Sequence, residues 1–296
     1  MKSFVLYLVG IIIIMSALTG CQSAMTGGQP RIIEGTATAP DGVKIAYDVR
    51  GRGETALVFI HGWCSNRAFW REQLDALADE YRIVAIDLPG HGASGRKRAT
   101  WRVTGFGEDV QAVVEALDLP RVILIGHSMG GPVALEAARR LPGRVIGVVT
   151  VDTLHNAEAR SRPEALERLA TALETDFEGT MRLFLPPFFA PDADPQLVQW
   201  VIESSLAADP TMAAATMRDF KTVDRTVLLS AAGVPVRAIN AAANPPMRPA
   251  TTIELNRKYG DFDAVFIEDV GHFLQLERPE QFNRQLRHVL AGLERR

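Results

Sequence analysis

Short apolar runs recur along the chain, and they have the length of buried β-strands. They lie at residues 56–60, 82–88, 122–125, 144–151, 235–240 and 263–267. Ahead of them, residues 32–38 and 43–49 alternate around Asp41-Gly42, which predicts an antiparallel hairpin at the edge of a sheet. Continuous apolar strands are typical of a parallel sheet that helices cover on both faces, so the pattern predicts an α/β fold.

Between residues 153 and 232 the pattern changes, because the strand-like runs stop. Residues 163–176, 195–208 and 210–230 are predicted to be helices. A last helix is predicted at residues 279–293, with its apolar side chains on one face: Phe282, Leu286, Val289 and Leu293. The pattern therefore predicts a helical insertion between two groups of strands.

The N-terminal segment begins with Lys2, continues with an apolar run and ends in Leu18-Thr19-Gly20-Cys21. This pattern is typical of a secretory signal rather than of a membrane-spanning helix. The Leu-Thr-Gly-Cys ending resembles the lipobox of bacterial lipoproteins, in which cleavage leaves the cysteine as the N-terminus and its sulfur carries a lipid. The resemblance predicts a signal peptide at residues 1–20, a lipid on Cys21 and a flexible tether at residues 21–30. An uncleaved signal anchor and a secreted protein with an incidental cysteine are the alternatives.

The same resemblance predicts a place in the cell. A lipoprotein would be held at the lipid bilayer of the bacterial cell envelope by its N-terminal lipid. The residue after Cys21 is not Asp, which favours the outer membrane if the source is Gram-negative. A secreted protein is the alternative location.

Composition excludes several classes of function. A chain of 296 residues with 47% hydrophobic content can bury one large core. The formal net charge of −3 and the lack of a basic stripe argue against a nucleic-acid partner. Two cysteines, Cys21 and Cys64, cannot form a disulfide framework. The sequence contains no H-E-x-x-H, no C-x-x-C and no phosphate-binding glycine loop, so we expect neither a metal nor another cofactor. The oligomeric state is left open.

The apolar run at residues 122–125 leads into Gly126-His127-Ser128-Met129-Gly130-Gly131 and then into a helical segment. A strand, a sharp turn and a helix would expose Ser128 at the apex, with small residues two positions before and after it to avoid clashes. This arrangement is a nucleophile elbow. G-x-S-x-G alone is a weak signal, but here it has the strand and the helix that the elbow requires.

A second motif lies at residues 87–94, where Asp-Leu-Pro-Gly-His-Gly-Ala-Ser is close to the D-x-P-G-x-G-x-S loop of the α/β-hydrolase superfamily. Together with the elbow, it makes the chain resemble that superfamily from about Arg31 to the C-terminus. The resemblance implies the α/β-hydrolase fold, with a mostly parallel central sheet, helices on both faces and a helical cap. The core would comprise residues 31–152 and 233–296, and the cap residues 153–232.

The resemblance also implies the catalytic parts. Ser128 would be the nucleophile, and His272, in a Gly-His-Phe loop after the last strand, would be the base. The backbone N–H groups of Trp63 and Met129 would form the oxyanion hole. The weaker candidates for the base are His155 and His288.

Other reactive residue types in the motifs are interpreted as structural. His61, at the end of a strand, and the pair Asp87 and His91 are expected to brace loops rather than to act on a substrate. Cys64 is expected to be a small buried filler, with a reactive thiol as the alternative.

The third catalytic part is an acid that orients the histidine and completes the triad. Its position in this sequence departs from the commonest arrangement in the superfamily. There it follows the strand at residues 235–240, but the matching turn here contains Asn244, which has no carboxylate. Asp152, at the end of the preceding strand, is predicted to be the acid, because some members of the superfamily place it there and the order Ser, Asp, His is kept. The alternatives are Asn244, Asp269 and Glu268.

These residues predict a cofactor-free serine hydrolase that cleaves small-molecule carboxylic esters through an acyl-enzyme. Lactonase, C–C hydrolase, cofactor-free haloperoxidase and aminopeptidase activities share the same residues and stay open. A ligand-binding relative with little turnover and an envelope scaffold are alternatives from other classes. Bulky residues of the insertion are expected to line an acyl pocket or to pack the cap onto the core: Met181, Phe184, Phe188, Phe189, Trp200, Met212, Met217 and Phe220.

Overall fold

The computed structural model describes residues 32–242 and 249–295, whose strands form one eight-stranded sheet. The strands are β1 (Ile33–Thr38), β2 (Lys44–Arg50), β3 (Ala56–Ile60), β4 (Arg82–Ile86), β5 (Val122–His127), β6 (Val145–Val151), β7 (Val236–Ala241) and β8 (Phe262–Ile267). Their order is β1-β2-β4-β3-β5-β6-β7-β8. The pairs β1–β2 and β2–β4 are antiparallel, and the other neighbours are parallel. The predicted edge hairpin and mostly parallel sheet are confirmed.

Helices connect the strands and cover the sheet. They are α1 (Arg71–Leu77), α2 (Val103–Ala116), α3 (Gly130–Arg140), α4 (Pro163–Thr175), α5 (Phe177–Phe184), α6 (Pro195–Leu206), α7 (Pro210–Asp219), α8 (Arg225–Ala231), α9 (Pro249–Asn256), α10 (Leu274–Glu277) and α11 (Pro279–Glu294). Short 3-10 turns lie at Arg67–Trp70, Pro186–Phe188 and Phe220–Thr222. Helices α4 to α8 all lie between β6 and β7, where the helical insertion is predicted.

Strand β3 shows why the central strands are apolar at every position. Leu57 and Phe59 pack with α1 and α11 on one face of the sheet, whereas Val58 and Ile60 pack with α2 and α3 on the other. All four side chains are fully buried. Successive side chains of a strand point to opposite faces, so a strand covered on both sides must be apolar throughout. Burial of each such side chain contributes about 2 kcal/mol, which anchors the loops at the strand ends.

The predicted helix at residues 210–230 is wrong in part, because it is two helices, α7 and α8. Asp224 begins the second one, since its carboxylate accepts hydrogen bonds from the N–H groups of Thr226 and Val227. Helix α5 is not predicted by the sequence pattern. It begins in the same way, at Asp176, whose carboxylate accepts the N–H of Gly179.

Several predictions fall outside the described residues. These are the signal segment at residues 1–20, the tether at residues 21–30 with the lipid on Cys21, and the alternative acid Asn244. Among the helices that the structure describes, none combines the length and the apolar character that a membrane span requires.

The loops that carry the candidate residues follow three parallel strands in the same half of the sheet. Ser128 follows β5, Asp152 follows β6, and the loop with His272 follows β8. Parallel strands end at the same edge of a sheet, and open α/β sheets bind ligands outside that edge. The fold therefore places the candidate residues where a ligand site is expected.

Candidate active site

Ser128 occupies a strained turn between β5 and α3. Its φ is +53°, a conformation that is uncommon for a residue with a side chain and that clusters at functional sites. Two backbone hydrogen bonds hold the turn: Ser128 N–H donates to the Val151 carbonyl at 2.9 Å, and Gly131 N–H donates to the Ser128 carbonyl at 3.0 Å. The serine side chain is thereby held at the apex, as an elbow requires.

The small residues around Ser128 are required by close backbone contacts. A Cβ at Gly126 would lie 2.0 Å from the carbonyl oxygen of Gly130. A Cβ at Gly130 would lie 2.4 Å from the carbonyl oxygen of Ile60, at the end of β3. These separations are shorter than any van der Waals contact, so only glycine fits at the two positions.

His272 is joined to Asp152. Its Nδ1 lies 2.6 Å from Oδ2 of Asp152, while Oδ1 of the same carboxylate accepts the N–H of Ala241 at 2.9 Å and contacts Nε2 of His155 at 3.1 Å. Burial would raise the pKa of Asp152, but the hydrogen bonds from His155 and His272 outweigh burial and hold this pKa well below its ordinary value. The carboxylate is therefore ionised at neutral pH.

Of the other candidates for the acid and the base, only His155 contacts this pair among the described residues. Among the described residues, neither Glu268 nor Asp269 makes a hydrogen bond or ion pair with His272, and both line a groove beside it. His288 lies on α11 in a separate depression lined by Arg237. His155 contacts Asp152, which makes it a second partner of the acid.

Ser128 and His272 line one cavity of about 130 Å³ beneath the cap. Its polar side chains are those of Ser65, His127, Ser128 and His272. The remaining lining residues are Gly62 and the apolar Trp63, Phe184, Leu185, Phe188, Met217, Phe220 and Phe273. In the described part of the chain no lysine, arginine or carboxylate lines this cavity, so its walls suit an uncharged apolar group.

The cavity divides the bulky residues of the insertion into two groups. Those on its wall are Phe184, Phe188, Met217 and Phe220. The others pack elsewhere: Met181 and Met212 are fully buried in the core, Phe189 stacks on Phe273, and Trp200 packs on Phe69 and beneath the Arg71 guanidinium. Some of these bulky residues therefore line the cavity, and the others pack against the rest of the protein.

The two predicted oxyanion donors flank the serine. Trp63 lines the cavity, and Met129 follows Ser128 directly. Among the hydrogen bonds of residues 32–242 and 249–295, neither backbone N–H has an acceptor, although neighbouring N–H groups such as those of Cys64 and Gly131 do. Two free donors next to a serine can stabilise a developing oxyanion. The indole of Trp63 donates to the Ala213 carbonyl at 3.1 Å and so attaches this loop to the cap.

His61 and His91 hold the loop of Trp63 in place. Nε2 of His61 accepts the N–H of Leu88 at 2.9 Å, and Nε2 of His91 accepts the N–H of Cys64 at 3.2 Å. Each accepting nitrogen must be unprotonated, so both rings are neutral. Burial lowers the pKa of His61 to about 4 and that of His91 to about 3. Burial likewise raises the pKa of the Cys64 thiol, as expected of a filler rather than a nucleophile.

His127 has a role that the sequence pattern does not reveal. Its Nε2 lies 2.8 Å from the carbonyl oxygen of His272, which makes Nε2 the protonated donor. The ring is buried, and burial together with the adjacent His272 ring lowers its pKa to about 3. His127 therefore supports the backbone that carries His272. Its position next to the serine does not reveal this partner, which is visible only in three dimensions.

The buried histidines predict acid sensitivity. The folded-state pKa values of His61, His91 and His127 lie below the ordinary value of about 6.5, so their contribution to stability is complete above pH 6.5 and is lost as pH falls toward 4 and 3. At pH 5 each of the three histidines is expected to lower the free energy of unfolding by about 2 kcal/mol relative to neutral pH. Urea denaturation at pH 7 and pH 5 measures the change in the free energy of unfolding. In the variant His91→Gln, this free energy is expected to depend less steeply on pH. Equal unfolding free energies at both pH values would contradict it.

Comparison with known proteins identifies a family and similar esterases. A model of the family described as "Alpha/beta hydrolase family" matches residues 57–285. An esterase from Thermogutta terrifontis is 26% identical, with a TM-score of 0.77 and coverage of 89% of this chain and 99% of that one. The pimeloyl-[acyl-carrier protein] methyl ester esterase of Nitrosospira multiformis is 27% identical over 76% of this chain and 90% of its own.

Other relatives are larger proteins. The acetyltransferase component of the acetoin cleaving system (dihydrolipoyllysine-residue acetyltransferase) of Pseudomonas putida is 26% identical over 81% of this chain. The chain spans 64% of the length of that relative and 32% of its Cupriavidus necator counterpart. The family match covers most of the chain and agrees with the sheet order and the elbow. The chain therefore belongs to the alpha/beta hydrolase family.

Proposed function

We propose that this protein is a serine hydrolase that cleaves carboxylic esters through an acyl-enzyme intermediate. The observation that carries the proposal is the joint arrangement of Ser128 and His272 on one cavity, with His272 Nδ1 on the Asp152 carboxylate at 2.6 Å. The similarity to esterases supports the same reaction class.

In the proposed first half-reaction, Nε2 of His272 takes the proton of the Ser128 hydroxyl while Oγ attacks the ester carbonyl carbon. The N–H groups of Trp63 and Met129 donate to the resulting oxyanion. Asp152 stabilises the imidazolium and holds its Nδ1–H. When the tetrahedral intermediate collapses, the C–O bond to the alcohol breaks, and His272 passes its proton to the leaving oxygen.

In the second half-reaction, His272 takes a proton from water as the water oxygen attacks the acyl carbon. The bond from Ser128 Oγ to that carbon then breaks, and the serine regains its proton from His272. The products are a carboxylic acid and an alcohol. Each proton that His272 accepts is returned, so the cycle needs no co-reactant beyond water.

The cavity predicts a compact, uncharged acyl group. A volume of about 130 Å³ lined largely by aromatic side chains suits an acetyl or butyryl group better than a long chain. With p-nitrophenyl esters from acetate to palmitate, we expect kcat/KM to peak at about two to four carbons. It should fall at least tenfold by the octanoate, because methylenes forced into a filled pocket cost about 1–3 kcal/mol. A maximum at long chains would contradict this assignment of the pocket.

We also propose that the mature protein is attached to the cell envelope through a lipid on Cys21, an inference that the signal-like segment of residues 1–20 supports. The variant Cys21→Ser is expected to lose the attachment. When the full-length protein is expressed in a Gram-negative host, the wild type should sediment with membranes and the variant should not. Recovery of both proteins in the soluble fraction would favour secretion instead.

A further inference from the structure

One buried carboxylate connects the loop of His272 to the cap. Oε2 of Glu277 accepts the N–H of Gly271 at 3.0 Å and the N–H of Ala190 at 3.0 Å, while Oε1 accepts the N–H of Phe273 at 3.2 Å. Gly271 and Phe273 are the two neighbours of His272 in the chain, and Ala190 belongs to the insertion. The Glu277 carboxylate therefore holds two segments that are far apart in sequence.

The same two segments meet at a second point. The N–H of His272 donates to the Phe188 carbonyl at 2.6 Å. A Cβ at Gly271 would lie 2.3 Å from that carbonyl oxygen, so only glycine permits the approach. The Phe188 ring lines the cavity and lies 5.4 Å from the His272 ring, centroid to centroid. Residues 188–190 thus set one wall of the pocket and hold the backbone of the proposed base.

Helix capping accounts for only part of this arrangement. Glu277 ends α10, and its bond from Phe273, the residue that precedes the helix, is of the kind a capping side chain makes. The bonds from Ala190 and Gly271 go beyond that helix. Glu277 is 8% exposed, so its removal would leave up to three N–H groups without an acceptor in a place that water reaches poorly.

We propose that Glu277 is a positioning residue that holds His272 and the pocket wall at Phe188 in a fixed relation, and so affects both turnover and acyl-chain preference. The inference rests on the proposed function, because it takes His272 as the base. Glu277 itself touches neither the substrate nor the reacting atoms. It acts through the backbone on either side of His272 and through residues 188–190.

The variants Glu277→Gln and Glu277→Ala test the proposal. The Gln side chain keeps one acceptor oxygen and the Ala side chain keeps none, so kcat is expected to fall about tenfold and about 100-fold, respectively. The ratio of kcat/KM for acetate over octanoate esters should fall with kcat as the Phe188 wall loosens. Glu136→Gln is the matched control, because Glu136 is also buried, at 2% exposed, and binds Arg139 and Arg140 outside the cavity.

The outcomes separate positioning from a general effect on stability. A lower kcat and a lower acetate-to-octanoate ratio, absent from Glu136→Gln at a comparable loss of melting temperature, would support the proposal. Folded Glu277 variants with both quantities within about twofold of wild type would overturn it. A lower kcat with an unchanged ratio would overturn the link to Phe188.

Hydrogen exchange of the wild-type protein gives a test that needs neither folded variants nor turnover. If Glu277 joins the segments, the amides of Ala190, Gly271 and Phe273 should open together and exchange with similar protection. Exchange of Ala190 about 100-fold faster than that of the other two would overturn the proposal. An inactive wild type that keeps this shared protection would contradict the proposed function but not the link between the segments.

Discussion

Replacing Asp152 by Asn is expected to lower kcat by on the order of 10⁴-fold, with little change in KM. The Asp152 carboxylate is buried, ionised and 2.6 Å from Nδ1 of His272. An amide at this place removes the charge that stabilises the imidazolium and can select the wrong tautomer of the ring. Steady-state hydrolysis of p-nitrophenyl acetate measures the loss.

The matched control for Asp152→Asn is Asn244→Ala, because Asn244 is the alternative that the sequence offers for the acid. This variant is expected to keep kcat within about threefold of wild type. The opposite pattern, an active Asp152→Asn and an inactive Asn244→Ala, would remove Asp152 from the triad. Circular dichroism of both variants checks that the fold is retained.

The second large effect is expected for Ser128→Ala, which should reduce kcat by about 10⁶-fold, to the level of residual binding and oxyanion stabilisation. Alanine adopts the same φ of +53° at a cost similar to that of serine, so the protein should still fold. Ser65→Ala is the informative comparison, because Ser65 lines the same cavity. It is expected to keep measurable turnover. Loss of activity in Ser65→Ala alone would identify a different nucleophile.

The strands could be predicted because the fold imposes a simple rule on them. Central strands such as β3 and β5 are buried on both faces, so a continuous apolar run in the sequence predicts them. The break between α7 and α8 could not be predicted in the same way. It depends on one side chain, Asp224, whose capping interactions compete with a helical pattern that continues through the break.

The candidate site was predictable where its residues lie in a local motif. Ser128 and the glycines around it belong to one turn, whose steric requirements are local. The pairing of Asp152 with His272 joins residues 120 positions apart and depends on how β6 and β8 end. The structure shows the contact between the two side chains, while the catalytic role of Asp152 stays a prediction. The support that His127 gives to His272 has no sequence signal of its own, because a histidine beside a serine can face any direction.

The proposed function depends above all on Ser128 being an activated nucleophile. Treatment of the wild-type protein with a fluorophosphonate, followed by intact mass measurement and peptide mapping, tests it most directly, because an activated serine displaces fluoride and keeps the phosphonyl group on Oγ. We expect one phosphonyl group per chain on Ser128, no adduct in Ser128→Ala and much slower labelling of Asp152→Asn. A correctly folded wild-type protein that remains unlabelled would contradict this role of Ser128.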